Sequence, residues 1–169
     1  GGVMGLLHAK LLRLRGVRVL LAEPDARRRE EARRFGVDVA LDPTASDFAP
    51  QVKELSHGGV RVSFVTGGGA AALQTALDVT AVGGRIVVYA GFYPEVTWSL
   101  NPNRIHSPEI EVVGTMNQSL EEFHRASLLL SKGLLQVGDL VSEKYPLLQA
   151  ATAFERAMSP ETYRVVIEP

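Results

Sequence analysis

No cysteine occurs among the 169 residues, so disulfides and thiolate-held metal centres are excluded within this chain. No apolar run approaches the roughly twenty residues of a membrane-spanning helix, and no stretch has the pattern of a secretory signal, so cytoplasm is the expected compartment. Charge of one sign is also lacking. A net charge of −1 gives no bulk attraction to nucleic acid or to an anionic membrane, and neither is expected as a partner. The four histidines, His8, His57, His106 and His124, fall in four different segments without the close spacing of a metal site, so no metal ligand is named. What remains is 46% hydrophobic and 22% charged, enough to bury one sizeable core.

The organising stretch is Gly1-Gly2-Val3-Met4-Gly5, followed by an acid, Glu23, at the end of the aliphatic run Val19-Leu20-Leu21-Ala22. With a glycine before Gly1, or with Gly1 in a shifted role, this is the end of a G-x-G-x-x-G turn entering a helix, where dinucleotides bind. Gly2 would let the backbone approach a pyrophosphate, Gly5 would let the helix pack closely, and first-turn N–H groups would face the phosphates. Glu23 comes eighteen positions after Gly5, close to the offset of about twenty at which a carboxylate reaches ribose hydroxyls. Leu6, Leu7, Ala9, Leu11, Leu12 and Leu14 give the helix its apolar face, Gly16 stops it, and Val17 to Ala22 reads as a buried strand.

Strand and helix signals then alternate. Pro24 to Gly36 reads as a helix entered through Pro24-Asp25, with most arginines on a solvated face and Arg28 one turn in, beside the proposed ribose site. Val37–Leu41 is a short strand, and Asp47–Ser56 an amphipathic helix. Val60–Val65 is a strand ending in Thr66-Gly67-Gly68-Gly69 before a helix Ala70–Ala81, and Gly84–Gly91 is a second strand with glycine at its carboxyl end. Such ends leave room for a ligand in an open parallel sheet. Residues 95–108 show no helical period. Glu109–Gly114 alternates like an edge strand, and Ser119 caps a helix with the apolar face Leu120, Phe123, Ala126, Leu129 and Leu130.

Gly2 to Asp25, Val65-Thr66-Gly67-Gly68-Gly69, Val82 to Val87, and Asn103-Arg104-Ile105-His106 leading to Glu109–Gly114 together resemble the medium-chain dehydrogenase/reductase family. Within it, the chain is most similar to zinc-dependent alcohol, sorbitol and threonine dehydrogenases. The resemblance implies an α/β fold: a Rossmann-type doubly wound parallel sheet whose first strand is missing from this chain. Residues 1–136 would form the dinucleotide-binding domain, and 137–169 the return segment of a GroES-like catalytic domain. By the same resemblance Gly2, Val3 and Met4 offer backbone contacts to the pyrophosphate, Gly5 completes the cofactor-binding turn, and Glu23 and Arg28 hold the adenosine ribose. Thr66, Gly67, Ala90, Gly91 and Phe92 border the nicotinamide, and Arg164 can reach the pyrophosphate.

The implied activity is hydride transfer between an alcohol or polyol and NAD(H), with a small alcohol, polyol or carbonyl compound as substrate. No catalytic residue is named here, because the family's metal ligands lie in an N-terminal domain; zinc belongs, if anywhere, to the full-length enzyme. The 169 residues are expected to be a piece of a longer chain. Glu23 favours NAD over NADP, since a 2′-phosphate would face its charge, and the edge strand Glu109–Gly114 predicts a homodimer or homotetramer. A zinc-free quinone-type reductase of the same family and a non-catalytic nucleotide-sensing Rossmann module stay open as alternatives. A methyltransferase fits less well, for want of its terminal antiparallel hairpin.

Overall fold

A computed structural model describes all 169 residues. Seven strands and seven helices alternate along the chain. Helix α1 spans Val3–Leu14, strand β1 Leu20–Ala22, helix α2 Ala26–Glu31 and strand β2 Val39–Leu41. Then come α3 Phe48–Leu55, β3 Val60–Val65, α4 Gly69–Val79, β4 Thr80–Val88, α5 Asn103–His106, β5 Glu111–Gly114 and α6 Leu120–Ser131. The chain closes with β6 Val141–Pro146, α7 Ala150–Ala157 and β7 Arg164–Glu168. Every strand pair is parallel, as helix-connected strands require.

The strands form three sheets, β1-β2, β3-β4-β5 and β6-β7. No ladder joins β1 to β3. Side chains tie the β1-β2 sheet to the β3-β4-β5 sheet instead. Leu6 and Ala9 of α1 bury into a cluster with Val19, Phe35, Val37 and Leu140, while His8, on the same helix, sets its ring 4.9 Å from Phe64 of β3 and 4.8 Å from Tyr89 beyond β4. From α3, Phe48 and Val52 meet Val79, Leu20, Leu41 and Val60, elements of both sheets. A third cluster, centred on the fully buried Ile86, holds α4 to β3 and β4.

Several boundaries differ from the sequence reading, each for a local reason. The strand expected from Val17 pairs only from Leu20, because Val19 N–H is taken by the Asp38 carboxylate at 2.8 Å. The helix expected over 24–36 begins at Ala26 under an Asp25 cap and tightens to a 3₁₀ turn over Ala32–Phe35 before Gly36, which ends it at φ 92°. Helix α4 stops at Val79 and passes directly into β4, where the Thr80 hydroxyl donates to Ala76 O at 2.7 Å. Residues 103–106 form one helical turn where no helical period was visible, held by backbone bonds back to Asn101 and Pro102. The predicted face of α6 is not packed: Leu120 and Phe123 are exposed, and the helix carries no buried residue. No helix is long and apolar enough to cross a membrane.

Candidate functional site

The glycine turn ends at Gly2, the N-cap of α1, in extended conformation with no side chain capping the helix. The first intrahelical bond runs from Leu6 N–H to Gly2 O at 3.0 Å, so the N–H groups of Val3, Met4 and Gly5 precede the ladder, and no acid occupies the first turn. Unpaired donors at the positive end of a twelve-residue helix form an anion cradle. A Cβ added to Gly2 would meet nothing nearer than Arg28 Nη1 at 3.9 Å, so the space there is open.

Glu23 follows β1 and is buried, 7% exposed. Its Oε1 accepts from Asp25 N–H at 2.9 Å. A Cβ at Gly1 would stand 2.6 Å from Oε2 and 2.9 Å from Cγ of Glu23. A side chain at Gly1 would therefore press on Glu23 under the turn. Asp25 caps α2 by accepting from Arg28 N–H at 3.0 Å, and that bond is the main cause of its lowered pKa.

Arg28 lies across the mouth of the turn. One Nη reaches toward Gly2, the other donates to Pro160 O at 2.9 Å, and Nε is buried with no protein acceptor. An orphaned buried donor costs about 1–3 kcal/mol. The open cradle over Gly2, the unpaired helix N-terminus and this surplus donor together fit an anionic, hydroxyl-bearing ligand such as a dinucleotide.

Gly5 brings in the second glycine turn, since a Cβ there would lie 3.4 Å from Thr66 Oγ1. The N–H groups of Tyr89 and Ala90 both donate to Val65 O, at 3.1 and 3.0 Å, which sets Ala90 beside Thr66. Gly67 and Gly91 are exposed at these two strand ends. Phe92 turns into the packing around the Ile86 cluster with Trp98, Leu100 and Ile105. Thus Gly2 through Gly5, Glu23, Arg28, Thr66 and Ala90 meet along one edge. Arg164 lies exposed on β7, opposite Val141.

Sequence reasoning missed the part played by the C-terminal residues 159–163. Pro160 O accepts from both Arg27 and Arg28 at 2.9 Å, and Tyr163 OH donates to Glu31 at 2.8 Å. No local motif encodes contacts 132 or 133 residues apart. No group of three His, Asp or Glu side chains is placed to hold a metal ion.

Residues 3–132 match the family model described as zinc-binding dehydrogenase. The chain is 28% identical over 170 residues to D-arabitol-phosphate dehydrogenase of Enterococcus avium, covering 99% of this chain and 48% of that protein. It is 30% identical over 172 residues to L-threonine 3-dehydrogenase of Thermococcus kodakarensis, covering 99% and 49%. A solved zinc-binding dehydrogenase from Sinorhizobium meliloti, bound to NADP, superposes with a TM-score of 0.88 at 26% identity over all of this chain and 50% of that one. The chain spans about half the length of the curated relatives it matches.

Proposed function

Because the chain belongs to the zinc-binding dehydrogenase family, we propose that it is the cofactor-binding part of an NAD(H)-dependent oxidoreductase that moves hydride between an alcohol or polyol and the nicotinamide. The carrying observation is the buried Glu23 carboxylate set against Gly1, with Arg28 over Gly2 and the open N-terminus of α1 between them. In this reading the backbone of Gly2, Val3, Met4 and Gly5 binds the pyrophosphate. Glu23 accepts from the adenosine ribose hydroxyls and Arg28 covers that end. Thr66, Gly67, Ala90, Gly91 and Phe92 border the nicotinamide, and Arg164 approaches the pyrophosphate from the return segment 137–169. Relatives named for arabitol phosphate and threonine favour an alcohol or polyol substrate over a quinone. Zinc, where the whole enzyme uses it, takes ligands outside this chain, and the bound nicotinamide supplies the hydride chemistry.

NAD is preferred to NADP in this reading. A 2′-phosphate would set a second negative charge beside a carboxylate with little access to water, disfavouring NADP(H) by about 2–4 kcal/mol. The Sinorhizobium relative was solved bound to NADP, so the preference rests on Glu23 itself. The test is titration of the full-length protein with NADH and NADPH, with and without Glu23→Ser. Equal affinities in the unsubstituted protein, or no gain for NADPH on substitution, would remove Glu23 as the ribose acid. The same reading places subunit contact at β5, whose Glu111, Val112, Val113 and Gly114 are exposed on a strand paired on one side only. A homodimer, or a tetramer of such dimers, is expected in light scattering, and a monomeric mass would refute it.

A further inference from the structure

We propose that the loop Ser159–Tyr163, far along the chain from the glycine turn, is a positioning element of the adenosine end of the site, with Tyr163 as its anchor; the proposal rests on the cofactor reading above. Arg28 is held rather than free. Its Nη2 donates to Pro160 O at 2.9 Å, and its guanidinium carbon lies 6.0 Å from the centre of the Tyr163 ring, within range of cation–π attraction. Arg27 gives a second bond to the same carbonyl at 2.9 Å, so the two arginines grip the loop together.

Tyr163 is fixed from several directions. Its hydroxyl donates to Glu31 at 2.8 Å, its ring meets Phe35 edge-on at 5.4 Å, and its N–H donates to Ser142 Oγ at 2.8 Å. Burial, reinforced by the Glu31 bond, pushes the phenol up to about 12, so it stays a neutral donor. The loop behind it is closed by Thr162, whose hydroxyl donates to Arg156 O at 2.8 Å and lies 3.2 Å from Ser159 O. Glu31 and Arg28 are three apart on α2, hence on one face, and Tyr163 lies along it.

A guanidinium is a planar fork with five donors, so fixing one edge aims the others. With Nη2 engaged by Pro160 O, Nη1 is held on the side of Gly2. The rotamer freedom that a ligand would otherwise have to remove from Arg28 is removed in advance.

The experiment compares two fragments of the cofactor on the full-length protein by calorimetry: ADP-ribose, which fills the adenosine end, and reduced nicotinamide mononucleotide, which does not. Tyr163→Leu is expected to weaken ADP-ribose about threefold to fivefold, the scale of a lost cation–π contact, and to leave the mononucleotide unchanged. Tyr163→Phe, which keeps the ring, should stay within about twofold of the unsubstituted protein. In an Arg28→Ala background the Tyr163→Leu loss should vanish, which a general loosening of the fold would not produce. Glu31→Ala cuts the same hydroxyl bond as Tyr163→Phe and should match that variant, a loss of no more than about twofold for ADP-ribose and none for the mononucleotide, which keeps a test available should Tyr163→Leu fail to fold. Equal losses for the two fragments, or a Tyr163→Leu loss undiminished in the Arg28→Ala background, would overturn the proposal. Failure of the unsubstituted protein to bind ADP-ribose would overturn the cofactor reading itself, and the positioning role with it.

Discussion

Replacing Gly5 by alanine separates two reasons a glycine can stand in a phosphate-binding turn. Gly5 occupies the first turn of α1 with helical backbone angles, so no left-handed conformation demands it. An added Cβ would find one neighbour within 4 Å, Thr66 Oγ1 at 3.4 Å. That is ordinary contact, and Thr66 is half-buried on a turn, so its side chain can yield. Against this small cost stands the gain in helix propensity, about 0.5–1 kcal/mol for glycine to alanine. Gly5→Ala should therefore stabilise the protein by about 0.5 kcal/mol in urea denaturation, and NADH affinity should hold within about twofold. Gly5→Val adds branches that press into Thr66 and should cost about 1–3 kcal/mol. Gly1→Ala differs in kind. Its Cβ would overlap the Glu23 carboxylate at 2.6 Å, and moving that buried group breaks a charge-assisted bond to Asp25 N–H worth about 1.5–3 kcal/mol. NADH binding should fall sharply there. A loss of more than about 1 kcal/mol from Gly5→Ala, or unchanged NADH affinity in Gly1→Ala, would refute this division of roles.

Leu6, fully buried between α1 and the Phe35 cluster, should cost about 2–5 kcal/mol on truncation to alanine, read from the shift of a denaturation midpoint at unchanged slope. Ser119→Ala removes a capping box in which Ser119 and Glu122 satisfy each other's backbone donors. The local cost of about 1 kcal/mol should appear as faster amide exchange in α6, with little change in the global melt, because that helix buries nothing. Glu143 is held down to about 2 by the Arg156 guanidinium and then by the Tyr145 hydroxyl. A depressed carboxylate stabilises fully above its unfolded value of 4.5 and loses that contribution as pH falls from there through about 2. Glu143→Gln should flatten this part of the stability curve, and an unchanged acid limb would count against the linkage.

Chemistry carried by adjacent residues was legible in the sequence. The glycine turn, the acid after β1, the caps at Asp25 and Ser119, and the glycine-ended strands all depend on neighbours a few positions away, and each lies where its spacing put it. Boundaries failed where a distant group competed for the backbone, as the Asp38 carboxylate does at Val19. The apolar period of α6 was legible, but a period says which face wants burial, not whether this chain supplies the cover. The contribution of Pro160 and Tyr163 was invisible because a backbone carbonyl and a phenol carry no motif, and their partners lie in α2 at the other end of the sequence.

Helices α1 and α3 are the elements whose side chains meet both the β1-β2 sheet and the β3-β4-β5 sheet. A molecule seated at the N-terminus of α1, touching Glu23 after β1 and Thr66 after β3, would bind only where both strand ends are in place. Saturation at a hundred times its dissociation constant adds about 2.7 kcal/mol against any opening that destroys the site. Protection from proteolysis should then rise together in β1 and β3, the strands that lead to Glu23 and Thr66.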